Sequence, residues 1–289
     1  MFPAAFTYQR AGSVAEAIRL LRRNPGAKLI AGGHSLIPLM KLRLARPPAL
    51  IDIGRVAELK GVTVRDGTVT IGALTTHAML ASSADVRRSA PLLAEAASVI
   101  GDPAVRNRGT VGGNVVHADP GSDLPTALTA LGATFNVQRA RSQQSVAVSR
   151  FFKAFMETAV GEKEVLVSVQ VPAAQPGQGA GYAKMFHPAS RFALLSVAAV
   201  VTVQGGRCTA ASVAVGGLVP TPRKAASVQR ALVGKALTPQ VISEAAAQVA
   251  NDLGDSLIGD IHASVEYRRS MASVYVQRAL TQAAGRTGT

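Results

Sequence analysis

The sequence predicts an α+β chain, and three observations carry that prediction. Short helical and strand patterns alternate over the first fifty-odd residues. Three strand-length apolar runs then follow one another between residues 182 and 215, with helical periodicity beyond them to the C-terminus. Neither Gly-x-Gly-x-x-Gly nor Gly-x-x-x-x-Gly-Lys-Ser/Thr stands at a strand-to-helix junction, so the doubly wound dinucleotide fold and the P-loop fold lack their fingerprints. The 289 residues suffice for about two domains at roughly 100–200 residues each. With 48% hydrophobic and 17% charged residues, a sizeable core can form. No repeat of period 20–50 occurs, which excludes a solenoid.

Ser13-Val14-Ala15-Glu16 is a capping box. It opens a helix with Val14, Ala17, Ile18 and Leu21 on one face, which Asn24-Pro25-Gly26 ends. Residues 28–31 read as a buried strand, 36–44 as a helix that tolerates Pro38 in its first turn, and 50–53 as a returning strand. Arg65-Asp66-Gly67-Thr68 between two alternating runs predicts a hairpin. Residues 75–80 and 91–100 read as helices, and 101–123 as a long polar loop of the functional kind. A helix at 124–131 and strands at 134–137 and 165–171 follow, then a connector over 172–181. Strands are expected at 182–185, 194–203 and 208–215, and helices at 225–233, 239–253 and 263–283. Tyr267, Met271, Val274 and Arg278 share one face of the last helix. The expected units are residues 1–55, 56–173 and 174–289.

The composition narrows the function classes. Cys208 is the one cysteine, so the chain can hold neither an intrachain disulfide nor an iron–sulfur centre of its own. The five histidines are scattered without metal-site spacing. The formal charge of +14 raises nucleic acid as a partner, but the basic residues are dispersed and aromatics make up only 4%. No nucleic acid is therefore expected, and attraction to an acidic protein fits the same charge. The longest apolar run, residues 192–203, is too short to cross a bilayer, and residues 1–6 lack the basic and apolar regions of a secretory signal. The expected location is cytoplasmic.

Two glycine pairs carry the functional reading: Ala31-Gly32-Gly33-His34-Ser35 and Thr110-Val111-Gly112-Gly113-Asn114. Glycine permits φ > 0 and close approach of its N–H to an anion, and successive N–H groups can cup a pyrophosphate. Two such cradles suggest a dinucleotide. Taken alone, the first pair is equally a structural bend, whereas the second sits within a long polar segment. Arg106 and Arg108 suit an anion but equally suit loop carbonyls. Asp119 and Asp123 read either as an acid–base pair or, at Asp119-Pro120-Gly121, as a turn. His34 and His117 read as polar loop residues.

Residues 31–43 resemble the first FAD loop of the molybdenum-hydroxylase flavoproteins, and residues 100–114 resemble the second. Asp119-Pro120-Gly121-Ser122-Asp123-Leu124-Pro125, Glu266-Tyr267-Arg268 and Arg278-Ala279-Leu280 extend the match over nearly the whole chain. The resemblance is to the medium subunits of the aerobic carbon monoxide dehydrogenase and xanthine dehydrogenase family. It implies the bipartite FAD-binding fold of the vanillyl-alcohol oxidase type plus a C-terminal α+β domain covering the flavin.

It further implies that residues 31–35 and 110–114 hold the FAD pyrophosphate and that Asp123 accepts hydrogen bonds from ribose. Leu166 would contact the flavin or nucleotide, Lys184 would sit near the isoalloxazine, and Phe192 would shield the flavin face. Ala104 and Arg191 stand where many relatives carry Gln and an acidic residue. The implied partners are an iron–sulfur small subunit and a molybdenum-cofactor large subunit, in a heterotrimer that can itself dimerise. No side chain is expected to act as a catalytic acid or base, and no His or Cys is placed for covalent flavin attachment. The competing readings are a free-standing FAD-dependent oxidase or dehydrogenase of the same fold and a basic nucleic-acid-binding or scaffold protein.

Overall fold

The computed structural model describes residues 2–288. Its first sheet is parallel and three-stranded. Strand β1 (Thr7–Arg10) and strand β2 (Lys28–Ile30) flank β3 (Ala49–Asp52), with helices α1 (Val14–Arg23) and α2 (Leu36–Lys41) in the connections. The capping box forms as its chemistry requires. Ser13 Oγ accepts from the Glu16 N–H, and Glu16 reaches back to the Gly12 N–H. Val14, Ala17, Ile18 and Leu21 then bury one stripe against Ile51, Ile53 and Leu59.

The second sheet is antiparallel and five-stranded, with strand order β4-β5-β10-β6-β7. Its strands are β4 (Val62–Arg65), β5 (Thr68–Gly72), β6 (Thr134–Gln138), β7 (Gln143–Ala147) and β10 (Val165–Pro172). The β4–β5 turn has φ of 48° at Asp66 and 68° at Gly67, the paired positive values of a type I′ hairpin. Helices α3 (His77–Ser82), α4 (Ala84–Ser89), α5 (Pro91–Ser98), α6 (Pro103–Arg108), α7 (Val111–His117) and α8 (Asp123–Leu131) lie between β5 and β6. A short helix α9 (Val148–Phe151) and the two-stranded pair β8 (Phe152–Ala154) and β9 (Glu157–Thr158) follow β7.

Two expectations change here. The polar segment 101–123 is not a plain loop, because it contains α6 and α7. Asp102 caps the Val105 N–H of α6, and Thr110 caps the Gly113 N–H of α7. Helices of six and seven residues complete fewer than two turns, so no 3.6-residue period can show.

The third sheet is antiparallel, with strands β11 (Gln178–Phe186), β12 (Ala193–Gln204), β13 (Arg207–Gly216) and β14 (Arg223–Lys224) in sequence order. Both faces of β12 are covered. Ala198 and Val200 join the core of the second sheet, whereas Val197, Ala199 and Val201 pack under α10 (Ala226–Leu232), α11 (Pro239–Ala247) and α12 (Val265–Ala284). Burial on both faces makes the strand almost continuously apolar. The second change concerns 172–181, whose end is already strand β11. Gly179 and Gly181 resemble linker residues, yet a Cβ there would collide with the α12 carbonyl oxygens of Ala283 and Ala279. Only glycine lets the last helix lie this close to β11. Tyr267, Val274 and Arg278 form the outward face of α12, with Met271 half-buried beside them.

Candidate cofactor site

A cavity of about 540 Å³ lies between the first two sheets, with the loop that joins β11 to β12 at one side. Twelve of the fourteen candidate residues line it. Ala31, Gly32, Gly33, His34 and Ser35 come from the β2–α2 turn, and Thr110, Gly112, Gly113 and Asn114 from the start of α7. Asp123, Leu166 and Phe192 complete the set. Val111 is buried beneath the wall, and Lys184 is not on it.

Gly32 brings the two glycine segments together. Its Cα runs so close to the chain before α7 that a Cβ would collide with the Arg108 carbonyl oxygen. Gly33 adopts φ of +77°, a conformation that other residues reach only at a cost. Gly112 is helical and needs no positive φ. It is glycine because a Cβ there would lie 2.6 Å from the Ala73 Cβ and 2.8 Å from the Ala73 carbonyl oxygen.

The two segments differ in the donors they offer. Among the described residues, the N–H groups of Gly32, Gly33, His34 and Ser35 donate to no protein group. In the second segment, Val111 N–H donates to Thr75 O at 2.9 Å and Gly112 N–H to Ala73 O at 2.7 Å. Gly113 N–H donates to Thr110 Oγ1 at 3.1 Å, and Asn114 N–H to Thr110 O at 2.9 Å. The second segment therefore contributes mainly shape and side chains: the Val111 and Gly112 N–H groups hold α7 against the chain that follows β5, and those of Gly113 and Asn114 close on Thr110. Among the described residues, two buried side-chain polar atoms have no partner, Asn114 Oδ1 and His77 Nδ1.

Asp123 is buried at the first position of α8, and both of its oxygens already accept hydrogen bonds. Tyr182 OH donates to Oδ1 at 2.7 Å and Lys184 Nζ to Oδ2 at 2.8 Å. Lys184 stands behind this carboxylate, its Nζ also donating to Val99 O at 3.2 Å. Burial pushes the Asp123 carboxyl up and the Lys184 ammonium down, and their contact opposes both shifts.

Phe192 is 45% exposed at the cavity mouth. Beside it, Arg191 has φ of +60° and lays its guanidinium over the Phe186 ring at 4.9 Å. The remaining candidates divide. Arg106 donates to the carbonyls of Ile100 and Gly101, so it is a loop brace, while Asp119 Oδ1 accepts from the Gly121 N–H and closes the expected turn.

Two residues of the site, His77 and Tyr182, have no signature in the sequence. His77 lines the cavity at 3% exposure, and its backbone N–H donates to Gly109 O. Burial, with His34 and Arg106 nearby, lowers its pKa to about 4, so the ring is uncharged at neutral pH. Neither residue lies in a motif, and a single His or Tyr carries no signal of its surroundings.

A cleft of about 800 Å³ lies elsewhere, between α1 and the β6–β7 hairpin, rimmed by Arg19, Arg22, Arg23 and Arg139. Arg19 and Arg139 are paired with Glu16 and Glu164 at 2.8 and 2.7 Å. No residue of either glycine segment lines this cleft. The smaller cavity is the one that gathers the unpaired donors.

Residues 4–174 match the family described as the FAD binding domain in molybdopterin dehydrogenase, and residues 180–283 match the CO dehydrogenase flavoprotein C-terminal domain. The chain is 39% identical over 284 residues to the carbon monoxide dehydrogenase medium chain of Hydrogenophaga pseudoflava, covering 98% of each. It is 35% identical to the glyceraldehyde dehydrogenase medium chain of Sulfolobus acidocaldarius, covering 98% of this chain and all of that one. A solved structure of the Hydrogenophaga pseudoflava carbon monoxide dehydrogenase, in a form lacking the Mo-pyranopterin moiety of its cofactor, superposes with a TM-score of 0.94 at 39% identity and covers 99% of both chains. The α+β architecture, with an FAD-binding domain followed by an antiparallel C-terminal sheet, is that of these flavoproteins. The chain belongs to the FAD-binding medium-subunit family of the molybdenum hydroxylases, and its cofactor is FAD.

Proposed function

We propose that this chain is the electron-transfer subunit of a multi-subunit molybdenum hydroxylase. It would receive electrons from iron–sulfur clusters on a small partner subunit, itself supplied by a large molybdenum-cofactor subunit, and pass them to an external acceptor. Residues 1–55 and 56–173 would be the two FAD-binding subdomains, with 174–289 as the covering domain. The observation that supports this most is the run of unpaired N–H groups from Gly32 to Ser35 at a cavity whose wall also carries a buried carboxylate.

The residues present suit FAD. Four backbone donors favour the pyrophosphate. Asp123 repels phosphate and accepts from hydroxyls, so it orders the ligand end to end. Leu166 and Phe192 offer apolar faces to an aromatic ring system. Bound FAD supplies a centre that takes electrons singly and gives them up in pairs, while the protein orients and tunes it. No side chain of the cavity needs to transfer a proton to substrate. The single cysteine leaves the chain dependent on a partner for cluster-borne electrons. The formal charge of +14 favours oriented docking of an acidic partner surface.

Expression with the genes adjacent to its own tests this reading. The flavin-containing chain should co-purify with a smaller iron–sulfur protein and a larger molybdenum protein. A colourless chain, or a yellow chain that oxidises substrate without partners, contradicts it.

A further inference from the structure

Among the described residues, Asp123 is the buried carboxylate of the cavity wall, and it hangs on the C-terminal sheet rather than on its own helix. Tyr182 and Lys184 lie two apart on β11, so their side chains emerge from the same face of the strand. That face meets the start of α8. Tyr182 OH reaches Oδ1 at 2.7 Å, and Lys184 Nζ reaches Oδ2 at 2.8 Å. The side chains of Lys184 and Asp123 are 2% and 4% exposed, and Tyr182 as a whole is 5% exposed. Two further contacts fix the seam. Thr126 Oγ1 lies 3.0 Å from Ser196 Oγ, and the Gly217 N–H donates to Pro120 O at 3.0 Å.

Each carboxylate oxygen has two lone pairs. With one donor bound per oxygen, the carboxylate is locked against rotation, and its remaining lone pairs are available toward the cavity. Lys184 supplies a countercharge that opposes the upward push of burial on the carboxyl, and Tyr182 supplies direction without charge.

We propose that Tyr182 is a positioning residue for the cofactor. It holds the Asp123 carboxylate in the single orientation that accepts hydrogen bonds from the ligand's sugar or ribityl hydroxyls, and so makes cofactor affinity depend on docking of the C-terminal sheet. This inference rests on the reading of the cavity as the FAD site.

The test is a double-mutant cycle on the full chain, with FAD stripped and its Kd measured by fluorescence titration. Tyr182→Phe removes only the hydroxyl. It should raise the Kd about tenfold, the loss expected for a hydrogen bond to a charged group. Asp123→Ala should raise it at least as much. Tyr182→Phe added to Asp123→Ala should produce no further loss, because the hydroxyl then has nothing to orient. If Asp123→Ala fails to fold around the uncompensated Lys184, the cycle is run with Asp123→Ala/Lys184→Met as its base.

A Tyr182→Phe chain with the wild-type Kd overturns the inference while leaving the cofactor site intact. Effects that multiply in the combined variant also overturn it, since Tyr182 would then act independently of Asp123. A wild-type chain that takes up no FAD overturns the underlying reading instead.

Discussion

Gly32 lies against the carbonyl of Arg108, so close that a single methyl group at Gly32 would collide with that oxygen. This contact joins the turn after β2 to the chain entering α7, and it closes the cavity. The obstructing atom is backbone, so no side-chain rotation relieves a substitution. Gly32→Ala should therefore push the segments apart, costing at least about 2 kcal/mol as overpacking does. A lowered melting temperature together with loss of bound FAD is the expected outcome.

Gly33 separates the cofactor role from the structural one. Its φ of +77° makes Ala costly by roughly 1–2 kcal/mol, and a β-branched residue more so. The obstruction is only the flexible tip of Ile37, 2.7 Å from the place a Cβ would take. Gly33→Val should leave a folded chain with little FAD, because the N–H groups of the first segment lose their curvature. Gly112→Val should instead destabilise the β5–α7 contact, where Ala73 is the obstacle, and lose FAD as a consequence. Circular dichroism melts of the FAD-free variants, set beside their flavin content, distinguish the two patterns.

The FAD should be noncovalent, since no Cys lines the cavity. Cys208, the one cysteine, is buried in the core of the C-terminal sheet, and His34 Nδ1 rests 3.0 Å from Gly32 O. Acid precipitation should release all of the yellow colour. Flavin retained on the washed, denatured polypeptide would contradict this.

His77 makes the FAD-free chain acid-sensitive. Its folded pKa of about 4 lies below the ordinary 6.5, so the unfolded chain binds more protons between those values. Its contribution to stability is thus fully present above about pH 6.5 and is lost as pH falls toward 4, amounting to on the order of 3 kcal/mol. His117, whose pKa burial also lowers, adds to the same trend. Urea denaturation from about pH 7 to 4 should show this decline, and His77→Leu should flatten it in part. An equally steep decline in His77→Leu would place the sensitivity elsewhere.

Much of this fold is legible in the sequence because local chemistry and tertiary context agree. Ser13 and Glu16 cap α1 as their spacing demands, and Asp66-Gly67 makes the hairpin its residues favour. Legibility fails where the deciding partner is distant. Gly179 and Gly181 read as linker until α12 is laid across them, and α6 and α7 are too short to show a period. At the site, the glycine pairs are visible in sequence, but the division of labour between them is not. It depends on Thr75 and Ala73, which capture the Val111 and Gly112 N–H groups. The same holds for Asp123 of α8, whose partners Tyr182 and Lys184 lie 59 and 61 residues away on β11.

On the proposed reading this chain relays electrons and does not itself oxidise a substrate. Anaerobic reduction of its flavin, followed by visible absorption, tests it most directly. The purified FAD-containing chain should be bleached by dithionite yet unchanged by carbon monoxide, an aldehyde, a purine or an N-heterocycle. Adding the iron–sulfur and molybdenum partners should allow one of these substrates to bleach it. Rapid flavin reduction by a substrate on the isolated chain would contradict the account.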